Sequence, residues 1–324
     1  MTTIALPAIS PQIEERVASA VREGLGAKPK RLPPWLFYDE AGSRLFDEIT
    51  ERPEYYLTRT EREILANHGA AMVAQAAQGE RLRIVELGAG SADKTRLLLK
   101  AATARQGTVV YEPVDVSASA LEAAHLRIER EIAGVTVLPQ VMDYTHGLRL
   151  AVTDERQLVL YIGSSIGNFE PWEAEGLLRM VRAELKPGDG MLLGVDLVKD
   201  DSLLLAAYDD AAGVTADFNL NLLVRLNRDL GADFDLDAFE HRAVWNAAQS
   251  RIEMHLASRV AHRVWLDALD LEVNFGEGET IHTENSYKYR PGQAEAMLAE
   301  AGFEPAGSWM DEQGWFGVCL GRVR

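Results

Sequence analysis

Between residues 82 and 198 five short apolar runs alternate with amphipathic segments, and most of the runs end in glycine, serine or acidic residues. The runs read as strands at Arg83–Leu87, Thr108–Val116, Val135–Tyr144, Leu158–Ile162 and Met191–Val198. The segments between them read as helices at Lys94–Ala104, Ala118–Ile132 and Pro171–Leu185. A strand that is apolar on both faces needs cover on both faces, and helical crossovers supply it. The pattern predicts an α/β fold with a doubly wound, Rossmann-like parallel sheet.

The alternation stops after Val198. Ser202–Ala211 and Thr215–Leu230 read as helices. His241–Trp245, Arg251–Leu256, Ala261–Leu266 and Leu269–Phe275 then alternate as strands do. Within the second of these, Ile252, Met254 and Leu256 share a face, which by period alone makes Met254 a core residue. The α/β pattern resumes with a helix over Pro291–Ala301 and two closing strands. Ahead of the sheet, Ile13, Val17, Ala20 and Val21 recur at helical spacing, and Arg44–Ile49 and Thr58–Ala77 also read as helices. Thr60 and Glu63 have capping-box spacing. The expectation is two domains that interrupt each other: 65–198 with 287–324, and 1–64 with 199–286.

Several classes fall away on composition. The net charge is −17, the wrong sign for a chain that must neutralise phosphates, so no nucleic-acid partner is expected. Cys319 is the one cysteine, which excludes a disulfide within the chain. The histidines show no metal-ligand spacing, so no metal is expected. No apolar run approaches the roughly 20 residues of a membrane span, and no basic, then apolar, leader opens the chain. A cytoplasmic monomer without a membrane partner is the expectation.

Three loops at strand ends are placed for chemistry. Val85-Glu-Leu-Gly-Ala-Gly-Ser91 brings paired glycines, Gly88 and Gly90, to the start of a helix, where backbone N–H groups face a ligand. The third glycine of a dinucleotide fingerprint is replaced by Asp93, which disfavours a nicotinamide or flavin. The E-x-G-x-G shape, beginning at Glu86, is typical of S-adenosylmethionine-dependent methyltransferases. At the end of the second strand, Glu112 and Asp115 both qualify to meet a ribose, and Asp143-Tyr144 at the end of the third is placed for an adenine. Gly163-Ser-Ser-Ile-Gly-Asn168 ends the fourth, with small polar residues and an amide that both donates and accepts.

Longer stretches carry a resemblance. They are Leu32-Pro-Pro-Trp-Leu-Phe-Tyr-Asp-Glu-Ala-Gly-Ser-Arg-Leu-Phe46, Pro53-Glu-Tyr-Tyr-Leu-Thr-Arg-Thr-Glu61, Glu86-Leu-Gly-Ala-Gly-Ser-Ala-Asp-Lys-Thr-Arg96 and Gly163–Asn168. Gly194-Val-Asp-Leu-Val-Lys-Asp200, Ala207–Asn219, Phe239-Glu-His241, Arg251-Ile-Glu-Met254 and Thr283-Glu-Asn-Ser286 extend it. From residue 27 to the end the chain resembles the L-histidine Nα-methyltransferases of ergothioneine biosynthesis. The resemblance implies a class I methyltransferase sheet interrupted by an α+β substrate-binding insertion. It also implies S-adenosylmethionine as cofactor and L-histidine as the small-molecule substrate, trimethylated to hercynine. The cofactor pocket would use Tyr38, Glu86, Gly88, Gly90, Lys94, Asp115, Asp143 and Tyr144. The amino-acid pocket would use Tyr56, Gly163, Ser165, Asn168, Tyr208, Phe218, Met254, Glu284 and Ser286. Asn168 and Tyr208 are implied at the α-amino-acid end as the catalytic pair, and Glu284 and Ser286 at the imidazole, with Tyr56 closing the site. Two alternatives stand beside this: an acceptor such as tryptophan, and a non-catalytic S-adenosylmethionine-binding module.

Overall fold

The structure, a computed structural model, describes residues 11–324. Residues 1–10, on which the reading of a missing leader rests, lie outside the described residues. In chain order the elements are α1 (Pro11–Gly26), β1 (Lys30–Arg31), α2 (Glu40–Thr50), α3 (Tyr56–Ala77), β2 (Leu82–Leu87), α4 (Thr95–Gln106), β3 (Val109–Asp115) and α5 (Ala118–Glu131). Then follow β4 (Val135–Val137), β5 (Gln140–Val141), β6 (Arg156–Tyr161), α6 (Pro171–Glu184), β7 (Gly190–Asp196), α7 (Asp201–Ala206) and α8 (Val214–Leu230). The chain closes with β8 (Phe239–Asn246), β9 (Arg251–Ser258), β10 (His262–Leu266), β11 (Leu271–Phe275), β12 (Thr280–Tyr287), α9 (Gln293–Glu300), β13 (Glu304–Met310) and β14 (Phe316–Arg322).

The chain divides into two compact units. The larger holds Arg52–Leu204, Asn246–Ile252 and Asn285–Arg324. Its sheet runs β13-β14-β7-β6-β2-β3-β4, with β5 beside β3. The strands from β4 to β7 along this order are parallel, whereas β14 runs antiparallel to β7 and β13 antiparallel to β14. Strand order reverses at β2, which has β3 on one side and β6 on the other, so the carboxyl ends there form the crevice where such sheets take ligands.

Alternation along each strand fills two separate cores. Leu82, Ile84, Leu158, Leu160 and Leu192 pack with α3, α4 and α5 residues such as Met72, Leu98 and Ile128 on one face. Val85, Leu87, Val159, Tyr161 and Leu193 pack with Leu178 of α6 and Leu298 of α9 on the other. This is the double cover that the apolar runs demanded.

The smaller unit holds the described residues through Glu51, with Leu205–Trp245 and Glu253–Glu284. Its sheet runs β1-β12-β9-β8, beside a β10-β11 hairpin. Ile252, Met254 and Leu256 of β9 are all buried. The helix α2 packs on α8. Asp39 caps α2 through the Gly42 N–H, and its carboxylate also meets Arg228 and Asn221 of α8, so the cap doubles as a tether.

Several expectations need correction. The boundary at residue 64 would cut α3, a single helix whose buried side runs from Tyr56 to Ala77, so the division falls before it. Residues 246–252 also group with the larger unit, not with the insertion. Thr60 is no cap, because its hydroxyl back-bonds to the carbonyls of Tyr56 and Leu57 inside the helix. The capping box in the structure is Glu170 with Glu173, at the start of α6. The third strand is only β4 and β5, since Asp143 diverts the chain into a 3-10 turn over Tyr144–His146. The helix expected over Ser202–Ala211 is the shorter α7. The strand β12 is not among the strand ranges expected from alternation.

Gly194 of β7 has no room for a side chain, because a Cβ there would run into Glu61 Oε1 and lie 3.2 Å from Phe316. Gly194→Ala is therefore expected to lower stability by about 1–3 kcal/mol through overpacking, read by chemical denaturation.

Candidate functional site

The glycine loop after β2 is folded by its own backbone and by Asp115. Gly88 N–H donates to Val114 O at 2.8 Å, and Gly90 N–H donates to Asp115 Oδ2 at 2.9 Å. The other Asp115 oxygen accepts from Ser117 N–H. The carboxylate thus holds two loops together, and an oxygen that accepts one bond keeps capacity for a hydroxyl. Gly88 has φ +70°, and a Cβ on it would come 3.2 Å from the Tyr144 hydroxyl. Only glycine suits that position on both counts.

Glu86 lies beneath the loop. Both its oxygens are taken, one by the Thr95 hydroxyl and the other by the Tyr111 hydroxyl. Burial pushes its carboxyl up to about 7, against the lowering effect of those two bonds. Glu86 therefore shapes the loop's floor from below and ties β2, β3 and α4 together. Glu112, the rival to Asp115, lies inside β3 and is paired with Arg83 and Gln140, which removes it as a ribose candidate.

Asp143 accepts from Thr145 N–H and hydroxyl, which fixes its carboxylate at the strand end. The Tyr144 ring sits edge-on to Tyr161 at 6.0 Å. Burial pushes the Tyr144 hydroxyl up to about 12, so it stays a neutral phenol at physiological pH.

The loop after β6 is joined to the glycine loop by a residue that sequence reasoning left without a role. Glu61 of α3 is fully buried. Its carboxylate accepts the Gly163 N–H at 2.9 and 3.0 Å and the Lys94 ammonium. Lys94 and Gly163, expected at different ligands, thus meet on one carboxylate. The signal for Glu61 was its place in a long motif, because no spacing rule marks it. Beyond Gly163, Ser165 to Asn168 form a single 3-10 turn preceded by Ser164 at φ +59°. Asn168 ends that turn, half-buried.

Also in the larger unit, the Tyr56 hydroxyl donates to Asp196 Oδ2 at 2.7 Å and its ring meets Trp315 edge-on. Ser286 Oγ accepts from Lys288 Nζ at 2.8 Å.

The remaining expected residues belong to the smaller unit. Tyr38, Phe46 and Phe37 surround Phe218, which stacks on Phe37 at 4.5 Å. The Tyr208 carbonyl accepts from His241 Nε2, while Asn219 donates to His241 Nδ1. This pairing defines the neutral Nε2–H tautomer, and burial lowers the His241 pKa in agreement. Asn219 also accepts from Thr283 in β12, whose hydroxyl lies 3.0 Å from the Met254 carbonyl. Glu284 follows, buried.

The strand β12 is the unusual element. Thr283, Glu284, Asn285 and Ser286 are consecutive, polar and buried. Buried polar groups are costly unless paired, and here the Thr283 hydroxyl donates to Asn219, the Asn285 amide nitrogen donates to Glu170 and Ser286 accepts from Lys288, while the Asn285 side-chain oxygen is buried without a hydrogen bond. Glu284 and Ser286, two apart, project to the same side of the strand. A run without apolar alternation gives no strand signal, which is why the sequence hid it.

Among the described residues there is no cluster of side chains that could hold a metal ion, and no helix is long and apolar enough to cross a membrane. The sequence model of a family described as "histidine-specific methyltransferase, SAM-dependent" matches residues 17–323. A histidine N-alpha-methyltransferase of Mycolicibacterium smegmatis is 47% identical, over 94% of this chain and 94% of its own. The protein of the same description from Mycobacterium tuberculosis is also 47% identical, over 93% and 92%. An "ergothioneine biosynthesis protein 1" of Neurospora crassa is 30% identical over 87% of this chain but only 32% of its own.

The Glu86 carboxyl supplies a pH test. Its folded pKa of about 7 lies above the unfolded value, so its contribution to stability is full below about 4.5 and fades as pH rises through about 7. Glu86→Gln mimics the protonated form. It is expected to remove that part of the stability loss between those two pH values, at most about 3 kcal/mol, as read by denaturation at a series of pH values.

Proposed function

Because the chain belongs to the histidine-specific, S-adenosylmethionine-dependent methyltransferases, we propose that it trimethylates the α-amine of L-histidine to hercynine, and that the residues described above do the work. The observation that carries the acceptor assignment is the buried polar strand β12. A carboxylate and a hydroxyl on one side of a strand suit a ring with one N–H and one lone pair, as an imidazole has. Glu284 takes the N–H and Ser286 the other nitrogen. The resemblance assigns Tyr56, Gly163, Ser165, Asn168, Tyr208, Phe218 and Met254 to histidine as well, with Asn168 and Tyr208 at its amino-acid end.

The cofactor residues fit a nucleoside. A glycine loop open to close approach leads into α4, and Asp115 and Asp143 set carboxylates at adjoining strand ends. Asp115 would hold the ribose, Asp143 and Tyr144 the adenine, and the Gly88–Gly90 backbone with Tyr38 and Lys94 the amino-acid portion. When bound, S-adenosylmethionine supplies an electrophilic methyl group on a positively charged sulfur. The α-amine must be neutral to take it, and the α-amine of a chain terminus, with a reference pKa of about 8, shows that an unprotonated fraction exists near neutral pH. Asn168 and Tyr208 then have to orient the lone pair in line, and positioning of this kind can supply much of the rate. No strong base is needed within the site.

The test is an incubation with S-adenosylmethionine and a mixture of amino acids, read by mass spectrometry. The expected product is histidine heavier by three methylene units. The same gain on tryptophan would overturn the acceptor, and binding of the cofactor without any product would overturn the activity. Glu284→Ala is expected to raise the KM for histidine about ten- to a hundred-fold, the worth of a hydrogen bond to a charged group.

A further inference from the structure

The motif Gly194–Asp200 has no part in the function described so far, yet two of its side chains stand behind the acceptor residues. Asp196 ends β7 and is fully buried. Its carboxylate meets the Tyr56 hydroxyl and two ammonium groups, Lys199 and Lys288, the latter at 2.8 Å. Lys199 also donates to the Tyr56 hydroxyl at 2.7 Å and lies over its ring at 4.3 Å. Lys288 also donates to Ser286 Oγ at 2.8 Å and is fully buried. The Asp196 N–H donates to the Ser164 hydroxyl, in the loop between Gly163 and Ser165.

Such a cluster is a poor way to gain stability, because taking ions out of water costs about as much as their attraction returns. Its geometry does something else. An ammonium only donates. Lys288 therefore occupies a lone pair of Ser286 and turns the serine's own hydrogen away from itself. It also sets a positive charge behind that hydroxyl, which opposes a protonated ring in front. We propose that Lys288, anchored on Asp196, is a positioning residue that makes Ser286 a hydrogen-bond donor and so selects acceptors whose ring nitrogen carries a lone pair. The proposal rests on the assignment of Ser286 to the acceptor.

The test uses the full-length enzyme as wild type, Ser286→Ala, Lys288→Met and the double variant. Lys288→Met leaves Asp196 paired with Lys199 and Tyr56, so no buried charge is orphaned. Each single variant should raise the KM for histidine about ten-fold while kcat changes less than about two-fold, and the double variant should be no worse than either single one. Binding of S-adenosylmethionine, followed by calorimetry, should be unchanged. Wild type should reject a pyrrole analogue of histidine, which has an N–H but no lone pair, and both single variants should lose that discrimination. Lys288→Gln keeps a donor and should recover most of the lost affinity; it also stands in should Lys288→Met fail to bind the cofactor. An unchanged KM in Ser286→Ala overturns the assignment of Ser286 itself. A raised KM in Ser286→Ala, joined by no effect of Lys288→Met or by effects that multiply in the double variant, overturns the role of Lys288. So does a Lys288→Gln that binds the cofactor yet discriminates no better than Ser286→Ala.

Discussion

The larger unit depends on one buried carboxylate. Glu61 reaches from α3 to the carboxyl end of the sheet, where it accepts the Gly163 N–H and the Lys94 ammonium. Lys94 opens α4 after the glycine loop, and Gly163 follows β6, so a single side chain sets the spacing of two loops on either side of the switch point. The sheet makes way for it: β7 carries glycine at 194, where any larger residue would meet the carboxylate. Unpaired, an ion at that depth would cost several kcal/mol, so Glu61, Lys94 and Gly163 hold one another in place.

Polar groups elsewhere follow the same economy. Glu86 has its two hydroxyl donors, Asp115 its two backbone N–H groups, and Asp39 its cap and its arginine. Each is a carboxylate that holds loops or helices in place from behind. The groups expected to touch ligands sit one step in front, on glycine turns, on the 3-10 turn ending at Asn168 and on β12. Precision in a site is achieved this way, through side chains whose own partners leave them one orientation.

The sheet was readable because β2, β3, β6 and β7 are apolar on both faces and bounded by turn residues. Position at a strand end left Glu112 and Asp115 both open, but it made the glycine loop readable. β12 was not, since its polar residues carry none of the alternation that marks a strand. Glu61 and Asp196 were visible only as letters in long motifs. Their roles arise from partners far away in the chain, such as Gly163 for Glu61 and Lys288 for Asp196, which no local pattern can show. The false cap at Thr60 has a local origin instead: the spacing is right, but α3 already begins at Tyr56.

The antiparallel strand β14 has a consequence for how the protein is made. It lies inside the sheet, with Phe316 opposite Asp196 of β7 and β13 on its other side. The ribosome delivers β7 long before β14, with the whole of the smaller unit's insertion still to come. Through that interval β7 presents an open, apolar edge, the kind of surface that invites wrong pairing. Synthesis is thus a window of exposure for the β7 edge that closes only when β14 pairs with it.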